Sequence, residues 1–145
     1  MSFIYDKITI IGVGLIGASI ALSCRRGKLA RHIVGCDADS SAVSQIEKMD
    51  IVDSVCKDPV KAVAGADLVI MAVPVGAMGN LASVIIPAMK SGAVLTDTGS
   101  TKRSVIRDVQ PHVSSDIHWL PSHPLAGTEY SGPAAGLVDL FDGRY

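Results

Sequence analysis

Residues 7–26 read KITIIGVGLIGASIALSCRR, and their interpretation decides the fold. KITIIG is a short β-branched run and reads as a strand. LIGASIALSCRR then reads as a helix that closes on two arginines. Between them, GVGLIG places Gly12, Gly14 and Gly17 at the strand-to-helix turn. In such a turn the first glycine permits the sharp reversal and the second lets the backbone approach a pyrophosphate. The third lets the helix pack close to the sheet. The helix start, at Leu15 and Ile16, offers unpaired N–H groups and a partial positive charge to phosphates. The glycine pattern gains its meaning from a strand before it and a helix after it, and both are expected here.

The same stretch has no charged residue from Ile8 to Cys24, as a secretory leader would. However, the preceding MSFIYDK has Asp6 beside Lys7 and no net positive charge. Three glycines interrupt the apolar run, and no small-residue cleavage site stands out after it. The run is also short for a membrane span. A buried strand followed by a helix is the reading that fits.

Outward from this unit the chain alternates. HIVGCD (32–37) reads as a strand, SSAVSQIEKM (40–49) as a helix with a serine start, and DSVC (53–56) as a short strand. DPVKAVAG (58–65) is a short helix with Pro59 in its first turn and Gly65 at its end. DLVIMAVP (67–74) is a continuous apolar strand, GNLASVIIPAM (79–89) a helix and AVLTDTG (93–99) a strand. TKRSVIRDV (101–109) is a helix and IHWLP (117–121) a last strand. AAGLVDLFDGRY (134–145) reads as a helical turn and a loop. Apolar strands alternating with helices imply a mostly parallel sheet covered by helices on both faces. The expected fold is an α/β, Rossmann-type, doubly wound domain over residues 1–145.

Composition agrees. A chain of 145 residues, 48% of them apolar, suggests one domain with a real core. A formal net charge of -1 gives no electrostatic reason to expect nucleic acid or an acidic membrane surface as partner. Cys24, Cys36 and Cys56 have neither metal nor redox spacing, so no metal site is expected. An odd number of cysteines without a CxxC fits small buried thiols in a reducing cytoplasm.

The second part of the dinucleotide fingerprint is an acid at the end of strand two. Asp37 lies twenty positions past Gly17, where a carboxylate accepts hydrogen bonds from the adenosine ribose and repels a 2′-phosphate. This favours NAD over NADP. Asp39 competes for the role, and Arg25 and Arg26 are too far along the first helix to form a 2′-phosphate site.

Ligands of open parallel sheets bind beyond the carboxyl ends of the strands. After strand four come Val73 and Pro74 within AVPVGAMG, small residues suited to lining a nicotinamide ribose. After strand five comes DTGSTK, with Asp97, Thr98, Gly99, Ser100 and Lys102. After strand six comes SHPLAGTEY (122–130), which brings His123 and Glu129. The chemically capable residues thus converge on one edge of the sheet. Each also has an ordinary alternative. Ser100 or Thr101 would serve as a helix cap, Lys102 as a solvated charge, and His123 and Glu129 as plain loop residues. His112 and His118 read as structural, one in a connecting segment and one at the start of a strand.

IIGVGLIGASIA (10–21), DTGSTK (97–102) and above all HPLAGTEYSGP (123–133) resemble the prephenate/arogenate dehydrogenase family of tyrosine biosynthesis. The resemblance covers nearly all of this chain but the first half of a typical member. It implies an NAD-dependent dehydrogenase that oxidises and decarboxylates prephenate to 4-hydroxyphenylpyruvate, or arogenate to tyrosine. His123 matches the family's catalytic histidine. Ser100 matches the serine that helps to hold the substrate hydroxyl near the nicotinamide, and Glu129 the glutamate that supports the site. The family's C-terminal helical domain, which makes a homodimer and closes the substrate cleft, is absent from these 145 residues. The chain is therefore expected to be the cofactor-binding half and to turn over poorly by itself. Another NAD-dependent hydroxy-acid dehydrogenase, or a non-catalytic NAD-binding module, is the alternative.

Overall fold

Six parallel strands form one sheet in the order β3-β2-β1-β4-β5-β6 in a computed structural model that describes residues 2–144. The strands are β1 (Tyr5–Ile11), β2 (Ala30–Cys36), β3 (Ser54–Cys56), β4 (Leu68–Met71), β5 (Val94–Asp97) and β6 (His118–Leu120). The helices are α1 (Leu15–Arg26), α2 (Ser40–Met49), α3 (Pro59–Val63), α4 (Val75–Ile85) and α5 (Lys102–Val109). This strand order is that of the doubly wound dinucleotide-binding fold, with its reversal between β1 and β4.

The alternation of side chains along each strand builds two cores. Ile8 and Ile10 of β1, Ile33 of β2 and Ile70 of β4 pack with Ala18, Ala21 and Ile46 on the α1–α2 face. Ile11, Val69, Met71 and Leu95 pack with Met78, Ala82, Ile85, Val105 and Val109 on the α4–α5 face. Each fully buried side chain of this size contributes about 1.5–3 kcal/mol. Thr9, buried within the apolar β1, donates its hydroxyl to the Ala62 carbonyl at 2.7 Å, so no polar atom is orphaned there.

The amino-terminal edge of the sheet is tied by Asp67. Its Oδ2 accepts from the backbone N–H of Asp6 at 2.7 Å and of Lys7 at 3.0 Å, and its Oδ1 meets the Lys90 ammonium. The Lys90 hydrogen bond first, and then the Lys7 N–H, hold the Asp67 carboxyl below its ordinary value. A depressed carboxylate adds stability above its unfolded-state value near about 4 and loses it as pH falls through the folded value. Asp67→Asn is therefore expected to destabilise the domain by about 1–2 kcal/mol at pH 7. In urea unfolding titrations, the gap between variant and wild type should close below about pH 4. A gap that stays constant with pH would rule out the charged pair as its origin.

From Pro121 the chain runs as a long loop to a 3-10 turn at Pro133–Ala135 and then crosses α1. Leu137 N–H donates to Ser19 Oγ at 2.9 Å, Ser23 Oγ donates to the Val138 carbonyl at 3.2 Å, and Arg26 pairs with Asp142 at 2.5 Å. Arg25 is engaged with Ile51 and Asp53 on the opposite side. Both arginines are therefore occupied by hydrogen bonds and ion pairs at the helix end.

Candidate nucleotide-binding site

The backbone first fixes the loops at the carboxyl edge of the sheet. Gly12 N–H donates to the Cys36 carbonyl at 2.8 Å, Ala72 N–H to Ile11 at 2.7 Å and Thr98 N–H to Met71 at 3.1 Å. Gly12 takes φ +88°, and a Cβ on it would lie 2.7 Å from the Ala72 backbone. The turn after β1 is thus pressed against the end of β4 and requires glycine twice over. Gly17 is buried, and a Cβ there would lie 2.1 Å from the Gly12 carbonyl oxygen. Gly14 differs: a Cβ there would meet nothing within 4 Å.

Two adjoining hollows open above this turn. The first, of about 480 Å³, is lined by Gly12, Gly14, Asp37, Lys57, Val73 and Pro74 among others. The second, of about 380 Å³, is lined by Gly14, Leu15, Ile16, Val73, Gly99 and Ser100 among others. Gly14, Ala72, Val73 and Pro74 form their common wall. The pair spans the ends of β1 and β4, where the strand order reverses and an extended ligand can lie across the sheet edge. α1 begins there with Gly14 as N-cap, no side-chain cap and no acidic residue in its first turn. Its N–H groups and dipole are therefore free for phosphate oxygens.

Asp37 lines the first hollow and is held on both oxygens. Oδ2 accepts from Val13 N–H and Oδ1 from Asp39 N–H, each at 2.9 Å. Each oxygen keeps a second lone pair for a ligand hydroxyl. Asp39 caps α2 by accepting from Ser41 N–H at 2.8 Å, and of the two aspartates Asp37 is the one that lines the hollow. Sequence reading missed the clamp from Asp37 onto the glycine turn, because Val13 and Asp37 meet only through strand pairing.

The floor of the first hollow includes Cys36. Burial first, and then the neighbouring Cys56, push the Cys36 thiol up to about 12, and burial pushes Cys24 up to about 11. At pH 8 roughly one Cys36 in ten thousand is then thiolate, the reactive form. Iodoacetamide should label Cys56, which is half-exposed, in the native protein and all three thiols in urea. Mass spectrometry of the labelled protein checks this, and rapid native labelling of Cys36 would contradict the buried placement.

The loops after β5 and β6 are joined through Asp97, which the sequence reading noted without a role. It is 1% exposed. Its carboxylate accepts from Gly99 N–H at 2.8 Å, from Ser122 N–H at 3.1 Å and from the Lys102 ammonium. Thr96 Oγ1 adds bonds to the Leu120 carbonyl at 2.7 Å and to Ser122 Oγ at 2.5 Å. Ser100 is exposed on the wall of the second hollow, and Thr101 occupies the N-cap of α5 without a side-chain bond. His123 is exposed and follows Ser122 directly. Glu129 lies apart, in a shallow hollow with Tyr130, Ser131 and Leu137. The structure thus gathers Gly12, Gly14, Leu15, Ile16, Asp37, Val73, Pro74, Gly99 and Ser100 around one cleft. It puts Gly17 beneath that cleft and leaves Glu129 outside it. Among the described residues no three His, Cys, Asp or Glu side chains come together as a metal site, and no helix is long and apolar enough to cross a membrane.

A strand order reversing over a glycine turn, with a bare helix start and a carboxylate at the end of β2, defines a nucleotide-binding domain of the doubly wound class. The family model described as prephenate dehydrogenase, nucleotide-binding domain, matches residues 20–145, and the chain belongs to that family. It is 40% identical over 138 residues to a cyclohexadienyl dehydrogenase of Zymomonas mobilis, covering 95% of this chain and 47% of that protein. It is 36% identical over 142 residues to a prephenate dehydrogenase of Lactococcus lactis, covering 96% of this chain and 39% of that protein. A crystal structure of prephenate dehydrogenase from Aquifex aeolicus, in complex with hydroxyphenyl propionate and NAD+, superposes with a TM-score of 0.87 at 27% identity. That superposition covers 99% of this chain and 49% of the other. The chain spans about half the length of the Zymomonas relative, and less of the Lactococcus one.

Proposed function

We propose that this chain is the NAD-binding half of an enzyme that oxidises and decarboxylates prephenate, or its amino counterpart arogenate. The carrying observation is the cleft across the β1–β4 reversal, with Asp37 at one end and Ser100 at the other. The residues fit a dinucleotide. The uncapped start of α1 takes the pyrophosphate, open space at Gly14 lets it approach, and the free lone pairs of Asp37 take the ribose hydroxyls. Bound there, NAD supplies the hydride acceptor.

The chain's own residues position the substrate and move a proton. Ser100 orients the ring hydroxyl beside the cleft. His123, as neutral imidazole, takes the proton from that hydroxyl as the carbonyl develops. Loss of hydride and proton gives a ring that draws electrons from the opposite carbon, whose carboxylate leaves as CO2. Glu129 supports the histidine loop from outside the cleft. A homodimeric whole protein, with a second domain closing over the substrate, completes the proposal.

The test follows NADH absorbance with prephenate or arogenate and with NAD or NADP. The 145-residue chain is expected to bind NAD and to show a slow rate dependent on one of the two substrates. His123→Asn should lower that rate by about 100-fold or more while NAD binding persists. A rate unchanged by His123→Asn removes the histidine from the mechanism. NAD binding with no substrate-dependent rate, even when the remainder of the protein is supplied, leaves a binding module.

A further inference from the structure

We infer that Lys57 is a second determinant of cofactor choice, placed to receive the 2′-phosphate of NADP and so to soften the exclusion that Asp37 imposes. The inference rests on the dinucleotide reading of the cleft. Cys36 and Cys56 are register partners at the ends of β2 and β3, so the residues that follow them, Asp37 and Lys57, leave adjacent strand ends side by side. Both line the same hollow.

The charges at that rim are unequal in freedom. Asp37 spends one lone pair of each oxygen on a backbone N–H, so half of its acceptor sites are already taken. Lys57 is exposed and donates to Ser40 Oγ at 3.0 Å. Among the described residues it has no carboxylate partner. The acids that flank it in sequence and space are committed elsewhere. Asp58 caps α3 through Val60 N–H at 3.0 Å, and Asp39 caps α2 through Ser41 N–H. The ribose end of the cleft therefore presents a carboxylate with one lone pair per oxygen left, an ammonium without a carboxylate partner and the Ser40 hydroxyl. Ribose hydroxyls satisfy the first, and a ribose 2′-phosphate would meet the other two.

The experiment measures dissociation constants for NAD and NADP by isothermal titration calorimetry at low salt. Wild type, Lys57→Ala, Asp37→Ser and the double variant are compared, and the quantity read is the NADP:NAD ratio. Lys57→Ala should raise the ratio about tenfold, the worth of one charge-assisted hydrogen bond. Asp37→Ser should lower it about tenfold or more, and the double variant should lose that gain. Lys57 is exposed, so its substitution tests the nucleotide and not the fold. If NADP binds wild type too weakly to titrate, the comparison of Asp37→Ser with the double variant carries the reading. A ratio that Lys57→Ala leaves within about twofold in both backgrounds overturns the inference while the cleft stands. Wild type that binds neither nucleotide overturns the dinucleotide reading and this inference together.

Discussion

Gly14→Ala is expected to fold like the wild type and to bind NAD at least about tenfold more weakly. A Cβ at Gly14 meets no atom of the protein within 4 Å, and its φ of -86° is open to any residue. The protein alone therefore has no need of glycine at this position beyond a modest N-cap preference, worth a few tenths of a kcal/mol to about 1 kcal/mol. The open space lies where both hollows meet, at the start of α1. A methyl group there would displace a pyrophosphate from the helix N–H groups. Gly17→Ala should do the reverse. Its Cβ would fall 2.1 Å from the Gly12 carbonyl oxygen, a backbone atom that cannot rotate away. Alanine gains about 1 kcal/mol of helix propensity over glycine. Overpacking against a backbone atom that close should cost about 3–4 kcal/mol, at or above the usual upper end, and leave a net loss of about 2–3 kcal/mol. The melting temperature should then drop by about 6–12 °C. Calorimetric titration and thermal unfolding of both variants separate the two glycines. Wild-type NAD affinity in Gly14→Ala would show that no pyrophosphate sits at the turn.

This contrast also marks what the sequence could reveal. The helices α1 and α2 occupy the residues expected from their serine start and terminal arginines, because those signals are local. The helix α4 begins at Val75, four residues before the expected start, and takes in Gly76 and Gly79. Residues 75–78 read as loop because Gly76 disfavours a helix, and Gly79 stands at the expected start. Gly79 is there for packing instead: a Cβ on it would lie 2.9 Å from Asp108 Cβ of α5, so its absence lets the two helices approach. The strands β3 to β6 are shorter than their expected runs, whereas β1 and β2 each begin two residues earlier, and all but β3 stop at least one residue before the expected end, where the loops turn toward the cleft. The glycines, Asp37 and Ser100 were legible as edge residues because the parallel alternation fixes which strand ends share a side. Asp97 was legible as a residue and not as a hub. Its partners lie 2, 5 and 25 positions away, and the last of these requires β5 and β6 to be neighbours.

Asp97→Ala is expected to destabilise the domain by about 3–5 kcal/mol, the range for breaking a buried ion pair from one side. The substitution would strand the Lys102 ammonium, whose side chain is 28% exposed, and two backbone N–H groups. For a domain of this size the melting temperature should fall by roughly 6–20 °C. Asp97→Asn keeps one acceptor oxygen for Gly99 or Ser122 but turns an amide donor toward Lys102, so about half that loss should remain. The same substitutions reach function through geometry. Gly99 N–H precedes Ser100 and Ser122 N–H precedes His123, so one carboxylate sets the register of both loops. In Asp97→Asn, measured well below its melting point, any NADH formation should fall further than NAD affinity, because Asp37 and the start of α1 follow other strands, β2 and β1. An Asp97→Ala variant within about 1 kcal/mol of wild type would show that the Lys102 side chain reaches water and that the loops hold without the carboxylate.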